Sequence, residues 1–435
     1  MTEERIIDAS AKVGIIGMGY VGLPLAVEVA RAGFDVTGFE ISRERVELLN
    51  SGKNYIGDVD DAELESLVTD GKLRGSLDFD GIASCEIVIV CVPTPLDVFK
   101  QPDLSFIINA SRDISKYMKS GTLVVLESTT FPGTTEDIMK PILEETGKIC
   151  GEDFFLAFSP ERVDPGNQSF KTGNTPKVVG GCGEKSTSLA KAFYGKVLTA
   201  PIFVVNSPRE AEMTKILENT FRIVNIALAN EMAIVAERMG INIWQVIDAA
   251  STKPFGFMPF YPGPGVGGHC IPIDPFYLTY IARKYDYHTR LIELAGEINN
   301  SMPEYVAERL MKLLNAHKKC LNGSKIILVG LAYKSDISDL RESPALDVLR
   351  ILEENGATVD IVDPYIGQFE WQSGKRKTSE LTRDLLSNSD AVVITTAHLK
   401  NVDYELIVDN ATLVLDTRSI LRKLGLESKD NVSLL

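Results

Sequence analysis

From Lys12 onward, short apolar runs alternate with stretches whose apolar residues recur at helical spacing. The runs are KVGIIG, DVTGFE, CEIVIVCVP, TLVVLEST, FFLAFSP, KVVGG and PIFVVN. Near-continuous apolar strands separated by helix-length segments read as a parallel sheet covered on both faces. A first open α/β domain is therefore expected, ending near Asn206. The pattern then changes. REAEMTKILENTFRIVNIALANEMAIVAERMG contains no Pro or Gly before Gly240, and its apolar residues keep helical spacing, which predicts one long helix suited to a connector or a dimer core. A loop rich in Pro and Gly follows from Lys253 to Pro275, then further helices to about Leu321. At Gly323 the alternation resumes with KIILVG, TVDIVDP, AVVITT and ATLVLDT, interleaved with segments such as SPALDVLRILEENG. The two ends thus read as separate open α/β sheets around a helical middle. The expected division is 1–207, 208–321 and 322–435.

Length and composition sharpen this picture. At 435 residues the chain exceeds one ordinary core, and roughly 150 residues per domain suggests two or three. A hydrophobic fraction of 44% with 24% charged residues is that of a soluble globular protein, and no apolar run approaches the roughly 20 residues that span a bilayer. The start, MTEERIIDAS, is acidic and polar where a secretory signal would be basic and then apolar; the expected compartment is the cytoplasm. Cys85, Cys91, Cys150, Cys182, Cys270 and Cys320 form no CxxC pair and histidines number only four, which argues against a disulfide framework or a metal site. A formal net charge of −15 argues against a nucleic-acid partner and leaves room for a small anionic ligand held by a few local donors.

The strongest local signal is VGIIGMGYVGLPLAVEVARAGFDVTGFE. Gly17, Gly19 and Gly22 fit GxGxxG between a strand and a helix, and Glu40 ends the next strand about 20 residues on. One glycine serves the turn, one the approach of a pyrophosphate, one the helix packing, and the carboxylate the ribose hydroxyls. Amides at the helix start would face the phosphates. Glu40 favours NAD over NADP, since it would repel a 2′-phosphate. Arg45 could stack on adenine, sit in solvent, or partly restore NADP binding.

Farther on, Thr94 in CVPTP, Thr129 in LESTTFPGTT, and Glu161 with Arg162 in FSPERVDPG stand just past strand ends, where open α/β sheets bind ligands. The plain alternatives are helix caps for the threonines and a surface ion pair for Glu161 and Arg162. Lys215, Asn219 and Arg222 share one face of the long helix. They read either as a solvated stripe or as groups that stabilise a developing oxyanion and relay a proton. Cys270 ends the glycine run GPGVGGHC, with His269 before it and Asp274 after it. A thiol there is either a buried small hydrophobe or a nucleophile toward a carbonyl. Beside NAD, such a thiolate traps an aldehyde as a thiohemiacetal, a second oxidation gives a thioester, and water, oriented by Asp274, releases an acid.

In this order, GMGYVGLPLA, SPERVDPG, EMTKILENTFR, GPGVGGHCIPIDP, GLAYKSDISDLRESP and DTR resemble the UDP-sugar 6-dehydrogenases over essentially the whole chain. The resemblance implies an α/β fold of two Rossmann-like doubly wound domains joined by a helical domain with a long central helix. It implies NAD in the first domain, the UDP end of the substrate in the third, and a homodimer or higher homo-oligomer built on the helical domain. It further implies Cys270 as nucleophile, Lys215 as proton donor or acceptor, Asn219 as partner of the reacting oxygen and Asp274 in thioester hydrolysis. Thr129 and Glu161 match positions between nicotinamide and sugar. Gly17, Gly19, Tyr20, Val21, Gly22, Glu40, Arg45, Thr94, Thr129 and Arg341 match cofactor contacts. Glu161, Arg162, Val163, Lys215, Asn219, Arg222, Gly265, Lys334 and Arg418 match substrate contacts.

Departures bear on the sugar. Members acting on UDP-glucose usually carry a lysine where this chain has Ile273, and a second glutamate where it has Pro165. Both departures resemble the branch that oxidises UDP-N-acetylhexosamines, especially UDP-N-acetylglucosamine. An arginine often found sixteen residues before the cysteine is Pro254 here, with Lys253 beside it, which leaves open how subunits share the site. The expected activity is NAD-dependent four-electron oxidation of a C6 hydroxymethyl to a carboxylate. Its rivals are the same reaction on UDP-N-acetylmannosamine or UDP-glucose, a two-electron hydroxyacid dehydrogenase, and a non-catalytic NAD-binding protein.

Overall fold

The computed structural model describes residues 3–57, 59–97, 101–164, 167, 169–372 and 374–435. The chain packs as two compact units, Met1–Glu218 with Phe276–Tyr287, and Asn219–Pro275 with His288–Leu435.

In the first unit, strands Lys12–Ile16 (β1), Asp35–Phe39 (β2), Leu73–Ser76 (β3), Ile87–Val90 (β4), Thr122–Leu126 (β5), Phe154–Phe158 (β6), Lys177–Gly181 (β7) and Ile202–Val204 (β8) form one sheet in the order β3-β2-β1-β4-β5-β6-β7-β8. The alternation of a strand explains its two-sided core. Val13, Ile15, Leu123 and Val125 pack on one face with Leu23, Phe34 and Phe193, while Ile16, Val124 and Leu126 pack on the other with Phe39, Ile107 and Ile114. Helices therefore cover both faces, and the order reverses between β1 and β4, the place where such sheets leave a crevice.

Two details depart from the sequence expectation. Leu73–Ser76 is a short polar edge strand without a clear apolar run. The pair β6 and β7 is antiparallel, Ala157 opposite Gly181. A parallel neighbour needs a crossover, usually a helix. Between these strands the described residues hold only the 3-10 turn Thr172–Asn174, so the chain doubles back.

The long helix spans Pro208–Met239, as its uninterrupted pattern predicts, beginning in the first unit and ending in the second. The second unit adds the helices Ile243–Ser251 and Arg290–Ala316. Its strands are Lys325–Val329 (β9), Thr358–Val362 (β10), Gln368–Trp371 (β11), Gly374–Lys377 (β12), Ala391–Ile394 (β13), Val414–Asp416 (β14) and Val432–Leu434 (β15). Five of them make a parallel sheet, β10-β9-β13-β14-β15, and β11 pairs with β12 as a separate antiparallel ribbon. Ile326 and Leu328 face one side, Ile327 and Val329 the other. The ribbon and the last strand carry too few apolar residues to stand out in the sequence. Among the described residues, no helix is long and apolar enough to cross a membrane.

Candidate functional site

The glycine turn after β1 is built by exclusion. Gly17 has φ +91°, and a Cβ there would lie 2.6 Å from Cys91 O. A Cβ on Gly22 would lie 1.9 Å from Gly17 O, so the helix Gly22–Arg31 can start only where it does with glycine. At Gly19 a Cβ would meet nothing within 4 Å, which leaves open space over the turn. Val21, the N-cap of that helix, offers no side-chain cap, and Tyr20 is exposed.

Glu40 is buried at the end of β2 and accepts from Met18 N (3.1 Å), Ile41 N (2.9 Å) and Ser42 N (3.0 Å). Arg45 approaches it at 3.5 Å, so this guanidinium answers the acid on its own strand end. An open turn, two glycines that tolerate no Cβ, and an oriented carboxylate fit an adenine dinucleotide. Thr94 is buried beyond β4, its carbonyl accepting from the hydroxyl of Tyr277. Arg341 belongs to the second unit, where its guanidinium is paired with Asp339 at 2.6 Å.

Past β5 and β6 the first unit holds a buried charge network that the motifs do not announce. Lys177 lies 2.8 Å from Glu127 and 3.5 Å from Glu161, and the Tyr194 hydroxyl donates to Glu127. Burial pushes the Glu127 carboxyl up despite Lys177. Burial also opposes charge on Glu161, yet Lys177, the backbone amides of Val163 and Arg162, and the charge of Lys215 hold it below the ordinary range. Glu161 Oε1 accepts from Arg162 N and Val163 N, both at 2.7 Å. The Arg162 guanidinium is committed elsewhere, to Glu218 (2.5 and 3.2 Å) and to Pro176 O (2.8 Å). Thr129 is half-buried two residues beyond Glu127. Apart from Glu161 itself, which FSPERVDPG marks, the sequence hint of this network is a charge at the end of one apolar run, TLVVLE, and at the start of another, KVVGG.

Lys215 is buried in the long helix, followed by Asn219, also buried, and by the exposed Arg222. In the second unit Asn219 Nδ2 donates to Asp274 Oδ2 at 2.6 Å, and Asp274 N donates to Cys270 O at 2.8 Å. The half-buried Cys270 and the buried Asp274 are thus joined through one turn of backbone, and the long helix supplies the third member.

The glycine run leading there is packed close. At Gly265, φ is +133° and a Cβ would lie 2.9 Å from Pro344 Cβ, while Gly268 N donates to Arg341 O at 3.0 Å. Asn230 Oδ1 accepts from Gly263 N at 2.9 Å. Arg418 Nε donates to Thr395 O at 2.9 Å, and no carboxylate pairs with its guanidinium among the described residues. Burial lowers its pKa to about 10, with Asp416 opposing the shift. A half-buried guanidinium with no carboxylate paired to it suits a bound anion. Lys334 and Ile273 are half-buried; Pro254 and Lys253 are exposed; Pro165 lies outside the described residues.

Three segments match models of the UDP-glucose/GDP-mannose dehydrogenase family: its NAD binding domain at residues 11–198, its central domain at 209–301 and its UDP binding domain at 327–423. The UDP-N-acetyl-D-glucosamine 6-dehydrogenase of Pseudomonas aeruginosa is 40% identical over 82% of this chain and 83% of that protein. The UDP-N-acetyl-D-mannosamine dehydrogenase of Pyrococcus horikoshii is 36% identical over 95% of this chain and 96% of that one. The solved structure of UDP-D-ManNAc dehydrogenase from Pyrococcus horikoshii superposes with a TM-score of 0.87, at 37% identity, covering 94% of this chain and 96% of that one. With a glycine turn open to a dinucleotide in the first sheet and all three family segments in order, this chain belongs to the UDP-glucose/GDP-mannose dehydrogenase family and is an NAD-dependent UDP-sugar dehydrogenase.

Proposed function

We propose that the enzyme oxidises the C6 hydroxymethyl of UDP-N-acetylglucosamine to the uronic acid in two steps, without releasing the aldehyde. Bound NAD supplies the hydride acceptor for each oxidation. Gly17, Gly19, Tyr20, Val21, Gly22, Glu40, Arg45, Thr94 and Arg341 would hold it. Lys215 takes the C6 hydroxyl proton as the first hydride leaves, and Asn219 holds the same oxygen. The Cys270 thiolate then adds to the carbonyl carbon, and the oxygen takes a proton to give a thiohemiacetal. Loss of the second hydride and the hydroxyl proton gives a thioester. Water, oriented by Asp274, adds to that carbonyl; the C–S bond breaks, and carboxylate and thiol result.

The observation that carries this reading is the 2.6 Å bond from Asn219 to Asp274, with Asp274 N in turn on Cys270 O. It gives a buried carboxylate a fixed direction one backbone turn from a half-buried thiol, which supports a part in hydrolysing a thioester on that sulfur. Thr129 and Glu161 would line the space between nicotinamide and sugar. Arg162, Val163, Arg222, Gly265, Lys334 and Arg418 would meet the rest of the substrate, with Arg418 answering the diphosphate. The division at 207/208 and 321/322 belongs to the same reading, supported by the spacing of the three family segments.

The choice of sugar rests on Ile273, on Pro165, and on the similarity to the Pseudomonas aeruginosa protein. UDP-N-acetylmannosamine is the second reading, favoured by the greater share of the chain that the Pyrococcus horikoshii protein covers. A homodimer or larger assembly through the long helix is supported by the exposed Leu217, Phe221, Leu228, Met232 and Met239 along it. The proposed compartment is the cytoplasm, in keeping with six cysteines that form no disulfide. Incubation with NAD and a panel of UDP-N-acetylglucosamine, UDP-N-acetylmannosamine and UDP-glucose, followed at the NADH absorbance, tests the reading. Two NADH per acid on the first sugar is expected. One NADH per product, or preference for another sugar, overturns the corresponding part.

A further inference from the structure

Glu212 has no exposed surface and sits in the first turns of the long helix, three residues before Lys215. Its carboxylate accepts from Gly133 N (2.6 Å), Thr135 N (2.9 Å) and Thr135 Oγ1 (2.6 Å). Among the described residues no lysine or arginine pairs with it. Arg209, one turn earlier on the same helix, is spent on Glu136 (2.7 Å) and Asp137 (2.5 Å). Keeping a carboxylate in such a place opposes its ionisation, and packing alone would be served by a neutral side chain.

What it grips is the stretch after β5. There Ser128 Oγ donates to Val92 O (2.8 Å) and the hydroxyls of Thr130 and Thr134 meet at 2.6 Å. The chain turns at Gly133, φ +106°, into the π-helical turn Thr134–Met139. In this run the Thr129 hydroxyl alone has no partner among the described residues, so it is held by its neighbours and free to meet a ligand.

We propose that Glu212 is a positioning residue for the oxidation, fixing the Ser128–Thr135 segment, and with it Thr129, against the helical turn that carries Lys215. This rests on the reading that gives Thr129 and Lys215 parts in the reaction. Burial raises the Glu212 carboxyl to about 7, the three donors only partly offsetting it and Glu136 adding to it. The other charges facing it are Asp137 and Arg209, already paired with each other. Protonation turns one carboxylate oxygen into a donor, and the N–H facing that oxygen loses its acceptor. The grip therefore weakens below about pH 7.

Glu212→Gln and Thr135→Val in the full chain test this by steady-state kinetics across pH and by hydrogen exchange at the Gly133 and Thr135 amides. For Glu212→Gln, kcat is expected to fall about tenfold to a hundredfold, as small misplacements of reacting groups do. KM for both substrates should stay within about threefold, and the ionisation near pH 7 in the wild-type kcat profile should disappear. Thr135→Val removes one donor, leaves the carboxylate, and should show a smaller kcat loss with that ionisation moved upward; it also serves where Glu212→Gln does not fold. An unchanged pH profile, or a loss confined to KM, overturns the proposal. Hydrogen exchange separates the two possible failures. Unchanged amide protection in Glu212→Gln overturns the grip even if the oxidation stands, whereas lost protection in a chain that oxidises no UDP-sugar overturns the catalytic reading instead.

Discussion

Gly263 lies directly under the guanidinium of Arg418: a Cβ at that glycine would sit 2.5 Å from Nη1. The loop that leads to Cys270 thus supports the cation proposed to meet the substrate diphosphate. Arg418→Met should raise KM for the UDP-sugar by about a hundredfold, the value of charge-assisted bonds to an anion, with a much smaller change in kcat. Gly263→Ala should raise the same KM by about tenfold by displacing the guanidinium. NAD affinity, read by fluorescence titration, should not move in either variant. A loss of NAD affinity equal to the loss for the sugar would contradict this assignment.

Cys270→Ser should abolish net acid formation while the fold, read by circular dichroism, persists. Equal turnover to acid in that variant would remove the covalent step. Lys215→Ala should depress kcat by about a hundredfold, in the range for a positioned acid–base group, and change NAD affinity little.

Asp274→Asn should slow release of the thioester more than its formation. After acid quench, intact-mass measurement should then find the sugar nucleotide on Cys270 in the variant and little in the wild type. A variant with reduced turnover and no adduct would assign Asp274 to an earlier step.

Gly22→Ala should abolish NAD binding and destabilise the first unit by several kcal/mol, because the new Cβ meets Gly17 O at 1.9 Å and backbone must shift. Isothermal titration with NAD and urea unfolding give the two readouts.

Buried carboxyls set the sign of the stability profile. Burial raises Glu212 to about 7 and Asp416 to about 6, against the donors around them. Their folded pKa values lie above the unfolded ones, so the native state binds more protons in between. The contribution of the neutral forms is present at low pH and lost as pH rises through about 4 to 7. Urea unfolding between pH 5 and 8 should show a decline of about 2 to 3 kcal/mol from Glu212 and about 1 to 1.5 kcal/mol from Asp416, with Glu212 supplying most of what is lost in the upper half. Glu212→Gln should flatten that half; a flat or rising wild-type profile would refute the assignment.

The sequence alone determined the strands that near-continuous apolar runs mark, the glycine turn, the uninterrupted helix and the order of the motifs, because hydrophobic period and glycine backbone freedom are properties of neighbouring residues. It did not determine which charges meet inside. Glu127 and Lys177 are 50 residues apart, Asn219 and Asp274 are 55 apart, and Gly133 and Glu212 are 79 apart. A charge within an apolar run has no local signature of its partner, since the partner arrives only when distant strands and helices pack. The reversal between β6 and β7 was likewise decided by tertiary structure, through a connection that carries no crossover helix among its described residues.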